Sequence, residues 1–407
     1  MKCRICSTTL EHVFLDLGTA PPSNAFLKAT DLARPETYFP LKLHTCANCL
    51  LVQVDEVEDH SRLFPSDYVY HSSVSRTWLE HCRSHVERSA TELSLGRDSL
   101  VVELASNDGY LLQYVAARGI PCLGVEPTEG PARVARERGI ETIVEFFGAA
   151  TADRIVSARG HADLVVANNV LAHVPDVNDF VSGIRRLLGP EGTATIEFPH
   201  LMALVGSRQF DTVYHEHFSY FSMHSLVALL GRHGLRAWRI EDLETHGGSR
   251  RAWVCHAESN RATADSVPAA LAREDDAGMG GLDWYDGFQA TAEAVKDGLL
   301  RFLLDARREG RRVVGYGAAA KGNTLLNFAG VRRDLLPCVA DASPYKQGLY
   351  LPGSRIPVVT PGELLSSRPD VVLILPWNLR AEICDQLAGI RAWGGRFATA
   401  VPSIEVW

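Results

Sequence analysis

The sequence has no surplus of basic residues. Its 407 residues include 41 Lys and Arg against 49 Asp and Glu, which gives a formal net charge of -8. Nucleic-acid-binding domains normally carry a basic excess, so the composition argues against that class of protein. The sequence also lacks an apolar run long enough to cross a bilayer, and Met1 leads directly into a polar segment instead of a signal peptide. We therefore expect a cytoplasmic protein that binds neither nucleic acid nor membranes.

The cysteines do not have the pattern of a disulfide scaffold. Four of the nine form two C-x-x-C pairs, Cys3 with Cys6 and Cys46 with Cys49, and five are scattered. Paired knuckles predict a closed tetrahedral zinc site, in which four cysteine ligands leave no position open for catalysis. We expect this zinc to fold a small N-terminal domain. The alternatives are that a nearby histidine replaces one cysteine, or that the four cysteines are unrelated.

A proline-rich stretch, APPSNAF at residues 20–26, lies between the two knuckles. Consecutive prolines favour an extended, polyproline-like backbone. We expect this stretch to lie against another domain.

The middle of the chain predicts a β-turn-α-β unit, in which Glu126 follows the second strand. The strands are expected at residues 99–105 and 122–125, the turn SNDG at 106–109 and the helix at 111–118. This order places a ligand at the helix N-terminus and Glu126 where it accepts hydrogen bonds from ribose hydroxyls. Gly109 is the only glycine of the turn, so the close backbone approach that a dinucleotide pyrophosphate requires is missing. S-adenosylmethionine fits better, with Asn107 and Asp108 near its charged amino-acid part. The alternative is an α/β unit without a ligand.

Polar residues also follow the next predicted strand of the sheet. Asn168, Asn169 and His173 come after a strand at residues 162–167, and a further strand is expected at 192–198. The carboxyl ends of parallel strands meet at one edge of a sheet, so these residues should share a crevice with the S-adenosylmethionine site.

The stretch YHEHFSYFS at residues 214–222 is expected to close over this crevice. It places a phenol, two imidazoles and a carboxylate within four consecutive residues. Imidazole exchanges protons near neutral pH. Glu216 is a neighbour that could orient or charge-stabilise an imidazole, and Tyr214 could donate a hydrogen bond to a developing oxyanion. The alternatives are an exposed polar loop or a histidine pair satisfied in a core.

The C-terminal part predicts a second, shorter doubly wound unit. Residues 257–282 are polar and rich in glycine, which indicates a connector, and an amphipathic helix is expected at 284–309. The strand-to-helix turn at 312–324 contains Gly315, Gly317 and Lys321. Glycines permit close backbone approach, and a helix N-terminus with a lysine suits a phosphate group. NAD(H) is one candidate ligand, and a unit without a ligand is the alternative.

Taken together, these motifs resemble those of the nucleotide-sugar C-methyltransferases, especially the dTDP-3-amino-4-keto-sugar C-3'-methyltransferases of deoxysugar pathways. The resemblance covers essentially the whole chain. Its motifs are the two knuckles, ELASNDG at 103–109, GVEP at 124–127, NVLAH at 169–173, YHEHFS at 214–219 and HGGS at 246–249. The family usually has a glycine where Ala105 stands here, a departure that should not prevent cofactor binding.

The resemblance implies an α/β fold in three domains. These are a small zinc-binding domain at residues 1–60, a central class I (Rossmann-like) S-adenosylmethionine methyltransferase domain at 61–256, and a Rossmann-like nucleotide-sugar-binding domain at 283–407.

The resemblance also implies a transferase reaction in deoxysugar and antibiotic biosynthesis. A base removes the proton next to the C4 ketone of a nucleotide sugar, and S-adenosylmethionine supplies a methyl group to that carbon. His217 matches the family's general base, and Tyr68, Asn169, His173, Tyr214 and Glu216 match its other active-site positions. We expect cofactor contacts from Glu103, Ser106, Asn107, Asp108, Glu126 and Asn168. We expect substrate contacts from Ser249, Gly317, Lys321, Asn323 and Asp341.

Three alternatives to C3 methylation remain open at this point. The first is a C5-methyltransferase of the same family, because both carbons flank the C4 ketone. The second is an NAD-dependent oxidoreductase of a nucleotide sugar that uses the glycines at residues 315–317. The third is a zinc-ribbon adaptor without enzymatic activity. In each enzymatic case we expect a monomer whose partner is a small molecule.

Overall fold

The computed structural model describes residues 1–55 and 72–407, so the predicted active-site residue Tyr68 lies outside the described part. The strands are β1 (His12–Ala20), β2 (Phe39–Thr45), β3 (Val52–Val54), β4 (Val101–Leu104), β5 (Cys122–Val125), β6 (Thr142–Ile143), β7 (Ala162–Asn168), β8 (Leu188–Pro199), β9 (Ser219–Tyr220), β10 (Leu235–Leu243), β11 (Ser249–His256), β12 (Val313–Tyr316), β13 (Val339–Ala340), β14 (Val358–Val359), β15 (Val371–Ile374), β16 (Arg396–Thr399) and β17 (Glu405–Val406). The α-helices are α1 (Arg76–Glu92), α2 (Leu112–Ala117), α3 (Glu129–Glu137), α4 (Ala149–Arg159), α5 (Val177–Leu187), α6 (Leu201–Gly206), α7 (Met223–Arg232), α8 (Ser266–Asp276), α9 (Phe288–Arg308), α10 (Ala320–Phe328), α11 (Pro361–Ser366) and α12 (Arg380–Gln386).

The N-terminal sheet is antiparallel, with the strand order β1-β2-β3-β9. Its last strand, β9, belongs to residues 214–222, which we call the catalytic stretch. In β9, Tyr220 pairs with Val52 and Ser219 pairs with Gln53. The backbone of the catalytic stretch is therefore fixed to the N-terminal domain, and the alternative of an exposed polar loop is wrong.

The second sheet has seven strands in the order β10-β11-β8-β7-β4-β5-β6. Strands β6, β5, β4, β7 and β8 are parallel neighbours, and β11 joins β8 antiparallel. All residues of β4 are buried, as expected for a parallel strand with helices on both faces. The structure confirms the Rossmann-like fold of the central region and places the predicted strands near the expected residues.

The third sheet has six strands in the order β14-β13-β12-β15-β16-β17. All its pairings are parallel except that of β17 with β16. This sheet confirms the second doubly wound unit. The turn after β12 leads into α10 as expected.

The connector between the second and third sheets contains a helix that the sequence did not predict. The buried Glu274 of α8 accepts hydrogen bonds from the backbone N–H groups of Met223 (2.7 Å) and His224 (3.2 Å) and pairs with His200 (2.6 Å). A carboxylate at the first turn of a helix satisfies N–H groups that have no intrahelical partner. The prediction of a plain polar connector is therefore wrong for residues 266–276, which pack onto the second domain.

The long helix α9 confirms the amphipathic helix expected there and joins the outer domains. Phe288, Val295, Leu299 and Leu303 are buried on one face, and Phe288 stacks on Phe14 of β1 with ring centroids 5.2 Å apart. Apolar residues of the N-terminal sheet and of the C-terminal sheet thus share one core. None of the helices within the described ranges has the length and apolarity needed to cross a bilayer.

Candidate active site

Three largely buried imidazoles, those of His173, His217 and His246, come together where the second and third domains meet; we call them the imidazole cluster. The rings of His173 and His217 are 4.5 Å apart between centroids. His246 is close enough that its charge lowers the pKa of His217. Each histidine comes from a different segment: the 3₁₀ turn after β7 for His173, the catalytic stretch for His217, and the turn before β11 for His246.

Both ring nitrogens of His217 have defined partners. Nδ1 donates to the carbonyl of Thr212 at 2.9 Å, and Nε2 accepts a hydrogen bond from the hydroxyl of Tyr214 at 2.8 Å. Burial lowers the pKa of His217 well below its usual range, and the neighbouring His173 lowers it further. His217 is therefore neutral at neutral pH, and its Nε2 holds the lone pair that can take a proton.

His173 is held in the same way. Its Nδ1 donates to the backbone carbonyl of Glu216 at 2.7 Å, and burial lowers its pKa to about 4. The amide of Phe218 also bonds the carbonyl of Ala172 at 2.7 Å. These bonds fix the catalytic stretch against the residues that follow β7.

The side chains of His215 and Glu216, which lie between Tyr214 and His217 in the sequence, face away from the cluster. His215 is buried, and its Nε2 bonds the carbonyl of Pro40 at 3.1 Å. The carboxylate of Glu216 accepts from the backbone N–H (3.3 Å) and side-chain amide (3.2 Å) of Asn24, and burial raises its pKa to about 7. The expectation that this carboxylate orients an imidazole is wrong, because backbone carbonyls do so instead.

The proline-rich stretch of the N-terminal domain lies between the other two domains, as expected. Asn24 binds Glu216, and the carbonyl of Ser23 accepts from the side-chain amide of Asn323 at 2.6 Å. Thr324 adds a bond from its hydroxyl to the carbonyl of Val213 at 2.7 Å. The loop before the catalytic stretch is thus held from two sides.

The predicted cofactor residues surround the turn after β4. Glu126 is buried and accepts hydrogen bonds from the backbone N–H groups of Asn107 and Thr128, each at 2.9 Å, and from the Thr128 hydroxyl. Two carboxylate oxygens accept about four hydrogen bonds, so Glu126 retains capacity for a ribose hydroxyl. Asn168, at the end of β7, has both side-chain polar atoms buried without a partner in the described part of the chain. Buried polar atoms without a partner at this edge of the sheet are suited to form hydrogen bonds with S-adenosylmethionine.

The turn itself requires left-handed backbone conformations. Ala105 has φ +54°, Asn107 has φ +47° and Gly109 has φ +77°. Left-handed conformations disfavour Cβ-bearing residues by roughly 1–2 kcal/mol, so a glycine at the position of Ala105 would adopt this turn with less strain.

The remaining predicted cofactor residues are buried around this turn. Glu103 is fully buried, and burial raises its pKa well above its usual range. The Ser106 hydroxyl is buried without a partner among the described residues. Asn107 accepts from the backbone N–H of Ser72 at 2.9 Å, and Asp108 accepts from the Ser73 hydroxyl. Their contact with the cofactor stays a prediction.

The third domain contributes Lys321 to the vicinity of the cluster. Its ammonium donates to Asn378 at 2.7 Å and lies 4.5 Å from the ring centroid of Trp377. The charge of Lys321 lowers the pKa values of both His217 and His246. A cation beside the reacting centre suits an anionic part of the substrate.

The other predicted substrate residues mainly support the turn and the domain contacts. The carboxylate of Asp341 accepts from the backbone N–H groups of Ala318 (2.7 Å) and Ser343 (2.8 Å). At Gly317, a Cβ would lie 2.3 Å from Pro376. Asn323 and Ser249 are buried, and the Ser249 hydroxyl donates to the carbonyl of Thr245 at 2.9 Å. The structure thus does not present Ser249 and Asn323 to a substrate, because one begins a buried strand and the other binds the N-terminal domain.

The four predicted zinc ligands lie together. The sulfur atoms of Cys3, Cys6, Cys46 and Cys49 are all within 4.8 Å of one another, and the closest pairs are 3.4 Å apart. A tetrahedron with zinc–sulfur bonds of about 2.3 Å has edges of about 3.8 Å. The four thiols therefore fit a closed zinc site, and no histidine belongs to this group among the described residues.

Two features of the site were missed from the sequence. His246 joins the cluster, although the motif HGGS at 246–249 gave it no role. Asp211 is buried and accepts from the indole N–H of Trp377 at 2.8 Å, which ties the loop before the catalytic stretch to the third domain. A histidine followed by two glycines was the available signal for the first, and an isolated aspartate offered none for the second.

Three protein families match consecutive segments that together cover most of the chain. Residues 3–64 match the family described as a putative zinc binding domain, residues 76–240 a methyltransferase domain, and residues 244–402 a C-methyltransferase C-terminal domain. The chain is similar to C-methyltransferase NovU of Streptomyces niveus, with 34% identity over 405 residues that cover 100% of this chain and 96% of the relative.

Solved methyltransferase structures are similar to part of the chain. The S-adenosylmethionine-dependent methyltransferase from Anabaena variabilis is 13% identical, covers 43% of this chain and 84% of its own, and has a TM-score of 0.36. Magnesium protoporphyrin IX methyltransferase (ChlM) from Synechocystis PCC 6803 is 16% identical, covers 45% and 88%, and also has a TM-score of 0.36.

Proposed function

Because the chain belongs to the C-methyltransferase family, we propose that it methylates C3 of a dTDP-linked 4-keto deoxysugar. The family makes it an S-adenosylmethionine-dependent C-methyltransferase with an N-terminal zinc-binding domain. The sugar substrate, the position of the methyl group and the role of His217 are the proposal.

One observation supports the proposal most strongly: a neutral imidazole with an accepting nitrogen stands beside a phenol at the imidazole cluster. A C–H bond next to a ketone is acidified because its electron pair can move onto the ketone oxygen. Breaking that bond requires a neutral base and a hydrogen-bond donor for the oxygen. His217 is neutral because it is buried, and its Nε2 is the nitrogen that would receive the proton.

Tyr214 covers that nitrogen in the free protein, with its hydroxyl 2.8 Å from Nε2. The substrate proton reaches His217 either directly, after the hydroxyl moves, or through the hydroxyl as a relay. Tyr214→Phe distinguishes the two routes. The variant keeps most activity if transfer is direct and loses it if the hydroxyl carries the proton.

S-adenosylmethionine, when bound, supplies an electrophilic methyl group. We propose that Glu126 accepts hydrogen bonds from its ribose and that Asn168 contacts it at the carboxyl end of β7. Both residues lie at the same edge of the sheet as Asn169 and His173, which brings the methyl donor close to the imidazole cluster. In-line geometry between donor and carbon is then the main requirement for transfer.

The third domain is proposed to hold the nucleotide diphosphate, with Lys321 near its charge. The proximity of Lys321 to His217 supports this assignment, because the diphosphate is attached only two carbons away from C3 of the sugar. The oxidoreductase and adaptor alternatives lose their support, because the C-terminal region matches a C-methyltransferase domain.

A panel of 4-keto sugar nucleotides tests the proposal. Each is incubated with the enzyme and S-adenosylmethionine, and the products are analysed by mass spectrometry and NMR. We expect one added methyl group on C3 of a dTDP-sugar, and no added methyl group in the control in which S-adenosylhomocysteine, which has no transferable methyl group, replaces the donor. Methylation at C5, on oxygen or on none of the panel would contradict the proposal.

A cytoplasmic location and a monomeric state belong to the same proposal. The nine cysteines, all of which lie in the described part of the chain, form no disulfide, which agrees with a reducing compartment. Cell fractionation tests the location, and sedimentation at micromolar concentration tests the monomer.

A further inference from the structure

His246 is held at the imidazole cluster in a strained conformation. Its φ is +54°, and Gly247 and Gly248 follow with φ values of +87° and +116°. A Cβ on Gly247 would lie 2.3 Å from Trp377, and its carbonyl accepts from the side chain of Gln209 at 2.6 Å. Such backbone strain costs roughly 1–3 kcal/mol and persists where the surroundings enforce it. The surroundings therefore fix the position of this imidazole.

The hydrogen bonds of the three imidazoles define their tautomers. His173 and His217 each donate from Nδ1 to a backbone carbonyl, at 2.7 and 2.9 Å, so their Nε2 atoms carry lone pairs. His246 instead accepts at Nδ1 from the side-chain amide of Asn169, at 3.5 Å. With the amide nitrogen of Asn169 as the donor in this contact, the proton of His246 is on Nε2. The cluster thus combines two accepting imidazoles with one that donates.

The surroundings of His246 keep this donor neutral. Burial lowers its pKa to about 4, Lys321, His81 and His173 lower it further, and Glu197 raises it. Trp78 lies edge-on to the ring, with centroids 5.1 Å apart. A neutral imidazole can polarise a carbonyl without giving up its proton, whereas an imidazolium would protonate the base beside it.

We propose that His246 donates a hydrogen bond from Nε2 to the ketone oxygen of the substrate and stabilises the enolate that forms there. The inference rests on the proposed function. In this step the C–H bond next to the ketone breaks, its proton goes to Nε2 of His217, and its electron pair becomes the enolate C=C bond while the carbonyl π electrons move onto oxygen. Asn169 is the positioning residue that fixes the tautomer of His246.

Two substitutions separate the hydrogen bond from the backbone requirement. Asparagine tolerates the left-handed conformation, but its amide reaches only to the place of Nδ1. Glutamine places an amide N–H near the place of Nε2. We expect His246→Asn to lower kcat about 10²- to 10³-fold, as for loss of one oxyanion donor, with affinity for S-adenosylmethionine unchanged. We expect His246→Gln to recover at least tenfold of that loss. The exposed His161, at the opposite end of β7, gives the control variant His161→Asn.

Turnover of His246→Asn within about threefold of wild type, against the 10²- to 10³-fold expected for an oxyanion donor, would overturn the inference. So would a glutamine variant no better than the asparagine variant. Nitrogen NMR of ¹⁵N-histidine-labelled protein gives a readout that requires no substrate. The wild-type signals that disappear in His246→Asn belong to His246. These signals should show a protonated Nε2 and an unprotonated Nδ1, and the opposite tautomer would refute the inference. Failure of the proposed function would appear instead as a wild-type enzyme that methylates no 4-keto sugar nucleotide.

Discussion

The buried carboxyl of Glu216 makes a quantitative prediction about stability and pH. Glu216 is 1% exposed, and its carboxylate accepts hydrogen bonds from the backbone and side-chain N–H groups of Asn24. Burial raises its pKa from 4.5 to about 7. A difference of one in pKa corresponds to about 1.4 kcal/mol, so a rise of roughly 2.5 corresponds to about 3.5 kcal/mol.

The sign of the effect follows from the raised pKa. Between pH 4.5 and 7 the folded state binds the Glu216 proton and the unfolded state does not, so stability falls as pH rises through this window. The contribution of Glu216 protonation to the free energy of unfolding is fully present below about pH 4.5 and is lost above about pH 7. Glu216→Gln removes the titration and keeps an oxygen for Asn24.

Urea unfolding of wild type and Glu216→Gln between pH 5 and 8 measures the effect. We expect the stability of wild type relative to the variant to decrease by about 2.5 kcal/mol over this range, slightly less than the full effect because pH 5 lies above the unfolded pKa. The exposed Glu11 of the N-terminal domain gives the matched control variant Glu11→Gln. A constant difference for Glu216→Gln would refute the reasoning, because it would mean that Glu216 ionises at its usual pKa when folded.

Three further predictions concern the metal, the cofactor and the substrate. Purified protein should contain about one zinc per chain, and Cys46→Ser should lose it together with the N-terminal sheet; zinc that exchanges with substrate would contradict a structural role. Glu126→Ala should weaken S-adenosylmethionine binding in calorimetry with little effect on the sugar nucleotide, and loss of the sugar nucleotide alone would reverse the assignment. Lys321→Ala should raise KM for the sugar nucleotide more than it lowers kcat, as expected when binding common to ground and transition states is removed; an unchanged KM would place the diphosphate elsewhere.

The parts of the site that follow from sheet geometry were predictable from the sequence. His173 meets the catalytic stretch and Asn169 contacts His246 because residues after parallel strands share one edge of the sheet. The four cysteines meet because their spacing is typical of a metal site. In both cases the signal is local in the sequence and the fold rule is general.

The parts that depend on distant partners were not predictable. Glu274 caps α7 and binds His200, but in the sequence it stands only in a polar, glycine-rich segment. Glu216 lies between two histidines in the sequence, which suggested that it is a partner for an imidazole. Its carboxylate instead binds Asn24 of the N-terminal domain. The sequence also does not show in which direction each side chain points. His215 and His217 have the same chemistry, and only the structure shows that His215 faces Pro40.

Deuterium exchange tests the central claim, that His217 removes the proton next to the ketone. In deuterated water with S-adenosylhomocysteine in place of the methyl donor, wild-type enzyme should introduce deuterium at the carbon that is normally methylated. His217→Asn should lose this exchange and lower kcat about 10²- to 10⁴-fold, the usual contribution of a general base, while still binding both ligands. His215→Asn, the matched control, should retain most of both activities. Wild-type exchange in His217→Asn, or its loss only in His215→Asn, would contradict the account.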